Sequence, residues 1–178
     1  MPTLHLISGL PCSGKTTYAS RLHQSRDSVL FTLDQWLITL FGRYSIADVG
    51  HDEHVRRVLA CRELIWSAAS ELLQRSVDVI LDDGFFLREN RMQFIERARA
   101  SGAAAITHVV SAPMDVVRSR LQARNSHLPE FNFWIDERML HQFIDLYQVP
   151  SDDEGAEIVT VSDARTAPGR VAPDTIAP

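Results

Sequence analysis

Apolar and polar positions follow two periods along this chain, and they alternate in order. Leu4 to Ser8 is a short apolar run with strand character, followed by a glycine-bearing loop and a helix expected from Lys15 to Ser25. Val29 to Leu33 is a second short run, ending at Asp34, and a helical piece around Trp36 to Phe41 comes next. After a looser stretch through Gly50, a long helix is expected over Asp52 to Gln74. There Val58, Cys61, Ile65, Ala68 and Leu72 recur at spacings of three and four and make one apolar stripe. Val77 to Leu81 reads as a buried strand with Asp82-Asp83-Gly84 as its exit turn. Helix (89–100), strand (104–110), helix (113–123), loop (125–132), helix (136–147) and strand (157–161) complete the series. Short apolar strands alternating with helices predict βαβ units, hence a parallel sheet with helices on both faces. From residue 162 the chain turns Ala- and Pro-rich without an apolar period. The expectation is one domain over 1–161 and a disordered tail over 162–178.

The loop after the first strand carries the most specific chemistry. Gly9-Leu10-Pro11-Cys12-Ser13-Gly14-Lys15-Thr16 fits G-x-x-x-x-G-K-[ST] at each fixed position, between a strand and a helix as a P-loop requires. The glycines let successive backbone N–H groups converge on phosphate oxygens, and the helix N-terminus adds its positive dipole end. Gly9, Pro11, Cys12, Ser13, Gly14, Lys15, Thr16 and Thr17 are therefore the candidate nucleotide-binding residues. Within that set Lys15 serves the outer phosphates and the Thr16 hydroxyl serves magnesium.

Three further groups fit phosphoryl transfer. Val79-Ile80-Leu81-Asp82 is an apolar strand ending in a carboxylate, and Asp82 rather than Asp83 is the candidate for the magnesium shell. Asp34 stands at the carboxyl end of the second strand, where ligands gather in open α/β sheets. It could cap the next helix or take the proton of an attacking hydroxyl, and the catalytic reading is preferred. Arg120 and Arg124, spaced i, i+4, could clamp the transferring phosphate, with Arg118 close by. Arg88 and Arg91 are candidates for gripping an anionic acceptor, alongside Asp34.

Composition narrows the partners. Of 178 residues, 18 are basic and 23 acidic, a net charge of −5, which argues against a protein built to coat nucleic acid. Seven arginines but three acids lie between Arg88 and Arg124, whereas Asp145 to Glu157 carries five acids and no base. A local basic stretch suits a small anionic ligand better than a long polyanion. Seventeen of the 18 basic residues are arginine, so the sole lysine falls on the P-loop position that wants a flexible ammonium. A chain whose only lysine is Lys15 also lacks an N-K-x-D guanine-reading motif, which favours ATP over GTP. No apolar run approaches the roughly 20 residues of a membrane span, and no signal peptide is evident. Cytoplasmic location with reduced Cys12 and Cys61 is expected.

Other features are read conservatively. His51-Asp52-Glu53-His54 lacks the H-E-x-x-H spacing and is taken as a helix start, not a metal site. Trp36, Trp66 and Trp134 read as core or adenine-side packing, Arg56-Arg57 as a solvated helix face, and His108 as a satisfied core histidine.

In these blocks the chain resembles the bacterial P-loop kinases related to polynucleotide kinase, zeta toxin and chloramphenicol phosphotransferase. ISGLPCSGKTT is similar to the family P-loop, FTLDQWLITLFG to its second-strand Asp segment, and VILDDGFFLRENR to its third-strand block. VVRSRLQARN resembles its lid segment and YQVPSDDE its late Pro-acidic turn. The resemblance implies a three-layer P-loop NTPase fold with a five-stranded parallel sheet and a lid. It also implies Asp34 as general base and Arg120 and Arg124 as lid arginines. The family often has Gly where Cys12 stands, and often an acid where Gln148 stands. Together these readings predict a kinase that uses ATP and Mg2+ to phosphorylate a hydroxyl of a small-molecule acceptor. The alternatives are a polynucleotide 5′-hydroxyl kinase and an ATP-binding regulator that hydrolyses ATP slowly.

Overall fold

The computed structural model describes residues 1–162. Five strands, β1 (Thr3–Ser8), β2 (Ser28–Thr32), β3 (Asp78–Gly84), β4 (Ala104–Ser111) and β5 (Glu157–Ser162), form one parallel sheet in the order β2-β3-β1-β4-β5. β1 lies in the middle, paired with β3 on one side and β4 on the other. Both of its faces are covered, which is why Leu4 to Ser8 are all buried.

The two-residue strand period separates two cores. Leu4, Leu6, Val79 and Leu81 point to one face, where they pack with Leu37, Cys61, Ile65, Phe94 and Ala98 from the helices. Those helices are α2 (Leu33–Phe41), α4 (His51–Gln74) and α5 (Arg88–Ala100). Ile7, Ile80 and Val110 point to the other face, against Tyr18, Ala19 and Leu22 of α1 (Lys15–Gln24). The expected three layers follow. A third cluster, Val117, Leu121, Ile135 and Leu140, joins α6 (Met114–Ser126) to α7 (Glu137–Leu146), with Cys12 of the P-loop packed beside it. These two helices thus bury apolar surface mainly against each other, as an arm above the P-loop.

Several boundaries differ from the sequence reading. Asp34 does not end a strand: β2 stops at Thr32 and Asp34 sits in the first turn of α2, whose cap position is Thr32. Asp82, Asp83 and Gly84 belong to β3 itself, because β1 pairs with it as far as Ser8 opposite Gly84. The stretch before Gly50 contains a short helix, α3 (Ile46–Val49), nucleated by Ser45, whose side chain accepts from the Asp48 N–H. On α4 the deepest positions are Cys61, Ile65, Ala69 and Leu73, one residue past the expected Ala68 and Leu72. Ser162 closes β5; the rest of the expected tail, 163–178, lies outside the described residues. No helix among the described residues is long and apolar enough to cross a membrane.

Candidate nucleotide-binding and phosphoryl-transfer site

The P-loop leaves β1 at the carboxyl edge of the sheet. The Gly9 N–H donates to the Gly84 carbonyl (3.1 Å), tying the loop to the end of β3. Gly9 has φ +149°, and a Cβ there would stand 2.2 Å from the Val110 carbonyl oxygen, so only glycine fits. The loop then turns on a Ser13 N–H to Leu10 carbonyl bond (3.2 Å), with Cys12 at φ 61° and Gly14 at φ 106°. The left-handed conformation at Cys12 is one that glycine adopts at less cost, which is the physical sense of the family's preference there.

α1 begins immediately after Gly14. The N–H groups of Lys15, Thr16 and Thr17 have no partner one turn back; the Tyr18 N–H to Gly14 carbonyl bond (3.0 Å) is the first of the helix. They leave the helix on the side where the loop curls. The Ser13 hydroxyl is buried in the loop without a hydrogen-bond partner. Convergent amides, a helix N-terminus and an unused buried hydroxyl suit a chain of phosphates.

Lys15 folds back so that its ammonium donates to the Leu10 carbonyl (2.8 Å). Burial lowers its pKa, and the carboxylates of Asp82 and Asp34 oppose that shift. The Thr16 hydroxyl donates to Asp82 Oδ2 (2.6 Å), joining the P-loop to β3. Asp82 is buried; desolvation raises its pKa while Lys15 and the Thr16 bond favour its charged form. A hydroxyl and a carboxylate held this close are the hard oxygen donors that magnesium takes, so Thr16 and Asp82 fit that ion. Asp83 turns the other way, into a bidentate pair with Arg62 of α4 (2.7 and 2.7 Å).

Asp34 comes to the same place by sheet register. Thr32 is paired with Asp82 across β2 and β3, and Asp34 lies two residues further on. Burial and the neighbouring Asp82 charge raise its pKa from 3.8 to about 6, against the pull of Lys15. A carboxyl poised near neutrality beside the phosphate lysine has the properties of a general base.

The arginines divide. Arg120 reaches from α6 over the P-loop, with Nη1 at 3.5 Å from the Cys12 carbonyl and 3.4 Å from that of Ser13. Arg124 donates to the Phe133 carbonyl (3.4 Å), its Nε is buried without a partner, and its charge is felt at both Lys15 and Asp34. Arg118 points away, to Glu137 (2.7 Å). Arg91 is wholly buried, its Nε and Nη2 on Glu154 (2.7 and 2.6 Å) and its Nη1 on the Phe85 carbonyl (2.9 Å). Arg91 therefore cannot grip an acceptor, and its role is to fasten α5 to the segment before β5. Arg88 pairs with Asp153 (2.8 and 2.9 Å) at the same seam. The basic and acidic stretches seen in the sequence thus meet one another at this seam, and Arg120 and Arg124 of α6 are the two of these arginines on the P-loop side.

Sequence reasoning missed Arg62, which neutralises Asp83 beside the site. Its position next to Cys61, on the edge of the α4 stripe, was the one available signal. Of Arg56 and Arg57, expected on a solvated face, Arg56 is exposed there but Arg57 is largely covered. Trp36 and Trp66 pack against the core, but Trp134 is 53% exposed. His108 is a satisfied core histidine, bonded to His5 (2.9 Å) and to the Tyr18 hydroxyl (2.9 Å).

Among curated proteins no sequence matches this chain. Solved structures share the fold at low identity. A protein described as a kinase candidate from Chloroflexus aurantiacus J-10-fl is 18% identical, with TM-score 0.72, over 90% of this chain and 88% of that one. Kti12 from Chaetomium thermophilum, solved with ADP-AlF3, is also 18% identical, with TM-score 0.66, over 89% and 88%. A chain of the Pnkp1/Rnl/Hen1 RNA repair complex is 19% identical, with TM-score 0.64, over 82% of this chain but only 43% of that one. The model of the AAA domain family AAA_33 matches residues 4–150, the span that holds the P-loop, Asp34, Asp82 and the α6 arginines. The chain belongs to this AAA domain family, a P-loop group with kinase-like members.

Proposed function

We propose that the protein transfers the γ-phosphate of Mg-ATP to a hydroxyl group of a small-molecule acceptor. The observation that carries this reading is the meeting of Asp34, with a pKa near 6, and the P-loop pair Lys15 and Thr16–Asp82 at one edge of the sheet. In the reaction the acceptor oxygen bonds to the γ-phosphorus, the bond from that phosphorus to the β,γ-bridging oxygen breaks, and ADP leaves. Asp34 takes the hydroxyl proton as the oxygen attacks. Lys15 and the N–H groups of Lys15 to Thr17 hold the phosphate oxygens. Thr16 and Asp82 would hold magnesium, which neutralises phosphate charge when bound. Arg120 and Arg124 supply positive charge from the α6 side, where charge grows in the transition state.

A carboxylate beside the phosphate-binding loop suits deprotonation of an attacking hydroxyl, and with the kinase-like fold the kinase reading leads. The net charge of −5 favours a small acceptor over a 5′-hydroxyl polynucleotide. The test is a transfer assay with labelled ATP and magnesium over nucleosides, sugars, sugar acids, antibiotics and 5′-hydroxyl oligonucleotides. Lys15→Ala and Asp34→Asn serve as controls. Transfer abolished by both substitutions is expected. Slow hydrolysis insensitive to Asp34→Asn, with no acceptor labelled, would give the regulator reading the lead.

A further inference from the structure

The helix that carries Asp34 has a second end, and the chemistry there bears on what the acceptor carries. α2 bears Asp34 in its first turn and Phe41 in its last. Seven residues apart, they lie on one helix face, separated by about 10 Å of axis. Over Phe41 sits the guanidinium of Arg57 from α4, 4.9 Å from that ring centre and 4.7 Å from the ring of Tyr44. Tyr44 meets Phe133 edge-on (5.1 Å), and the Phe133 carbonyl accepts from Arg124. A chain of contacts thus runs from Asp34 along α2 to Arg57, and back through Tyr44 and Phe133 to Arg124. Tyr44 feels the charges of both Arg57 and Asp34, which places them on the same side of the molecule.

Arg57 is held beside these rings in an unusual way. Its Nε donates to Glu53 Oε1 (2.7 Å), and Glu53 is itself shared with Arg56 (2.7 and 2.8 Å). The side chain is only 18% exposed, yet Nη1 and Nη2 make no hydrogen bond among the described residues. Two rings fix the plane of the guanidinium and Glu53 fixes its rotation. Its outer edge is left as a ready fork of donors, the geometry that takes a carboxylate or phosphate in two parallel bonds. A surface arginine serving only Glu53 would need neither ring.

We propose that Arg57 is the anion-recognition residue of the acceptor site, so that the acceptor is a hydroxyl compound that also bears a carboxylate or phosphate. The inference rests on the kinase reading and specifies its acceptor. The span from Asp34 to Phe41 sets the scale: roughly 10 Å accommodates a sugar acid, a sugar phosphate or a nucleoside monophosphate, and exceeds a triose.

The experiment compares matched acceptors: sugar acid and sugar, sugar phosphate and sugar, 3′-nucleotide and nucleoside. Wild type, Arg57→Gln and Arg57→Lys are assayed with Mg-ATP. ATP affinity and thermal unfolding report whether each variant is folded. The expected result is preference for the anionic member of at least one pair, its kcat/KM lowered about 10- to 100-fold by Arg57→Gln, mainly through KM. Arg57→Lys should recover part of that loss, and the neutral member should change less than threefold. The pair that responds tells carboxylate from phosphate. Equal use of anionic and neutral members, unaltered by Arg57→Gln, would overturn the inference and leave the kinase standing. No transfer to any acceptor would overturn both.

Discussion

Replacing Asp34 by Asn should abolish transfer while making the protein more stable, and the gain should depend on pH. In the fold this carboxyl titrates near 6, against 3.8 without its surroundings, because it is half-buried and desolvated beside the Asp82 charge. A pKa raised by folding means that the folded state holds the proton more tightly than the unfolded chain. Stability is therefore full below about pH 3.8 and is lost as pH rises through 6. Above pH 7 the ionised carboxylate costs the fold about 3 kcal/mol; at pH 4.5 it costs about 1 kcal/mol. Asn has the same shape and no charge to lose. The stability difference between variant and wild type should thus grow by about 2 kcal/mol between pH 4.5 and 8. Titrating groups far from Asp34 cancel in that difference, which leaves Asp34 with its coupling to Asp82 and Lys15. The assay is urea unfolding of both proteins at several pH values, without nucleotide or magnesium. For a domain of this size the same gain appears as a rise of roughly 4–8 °C in Tm at pH 8 relative to that at pH 4.5. Activity should meanwhile fall about 10²- to 10⁴-fold, the usual worth of a general base. In the wild type the acid limb of kcat/KM should bend near pH 6. A stability difference that stays flat with pH, or shrinks as pH rises, would refute the electrostatic account of Asp34.

Three other outcomes follow from the packing. Arg91→Met strands Glu154 as a buried unpaired acid and should cost about 3–5 kcal/mol in urea unfolding, most of it recovered by adding Glu154→Gln. Gly9→Ala puts a methyl 2.2 Å from the Val110 carbonyl oxygen, so nucleotide affinity measured by calorimetry should collapse even where the sheet survives by circular dichroism. His5 and His108 are kept neutral mainly by burial, with pKa values lowered to about 4 and about 3. Folding depresses them, so their contribution is complete above about 6.5 and is lost as pH falls toward 4. The slope should approach 2.7 kcal/mol per pH unit, and His108→Gln should flatten it in an acid titration.

What could be read without coordinates, and what could not, divides along a physical line. Lys15, Thr16 and the P-loop glycines were legible because one local turn dictates their spacing. The sheet was legible because Leu4–Ser8 and Val79–Leu81 are buried on both faces and leave short, mostly apolar runs. Asp34 was found, but its element was not, since Leu33 fits a strand end and a helix start equally well. The arginines were the least legible. Arg88 and Arg91 looked like ligands because their partners, Asp153 and Glu154, lie more than sixty residues away. Arg57 looked like solvent-facing charge because nothing local announces that it lies over the rings of Phe41 and Tyr44. Local sequence shows that a charge exists, and only the fold shows whether it has been spent. By that test Arg88 and Arg91 close the seam between α5 and the segment before β5. Arg62 cancels Asp83. Lys15, Arg120 and Arg124 lie on the nucleotide side, and Arg57 is the cation whose remaining donors point to what the acceptor must bring.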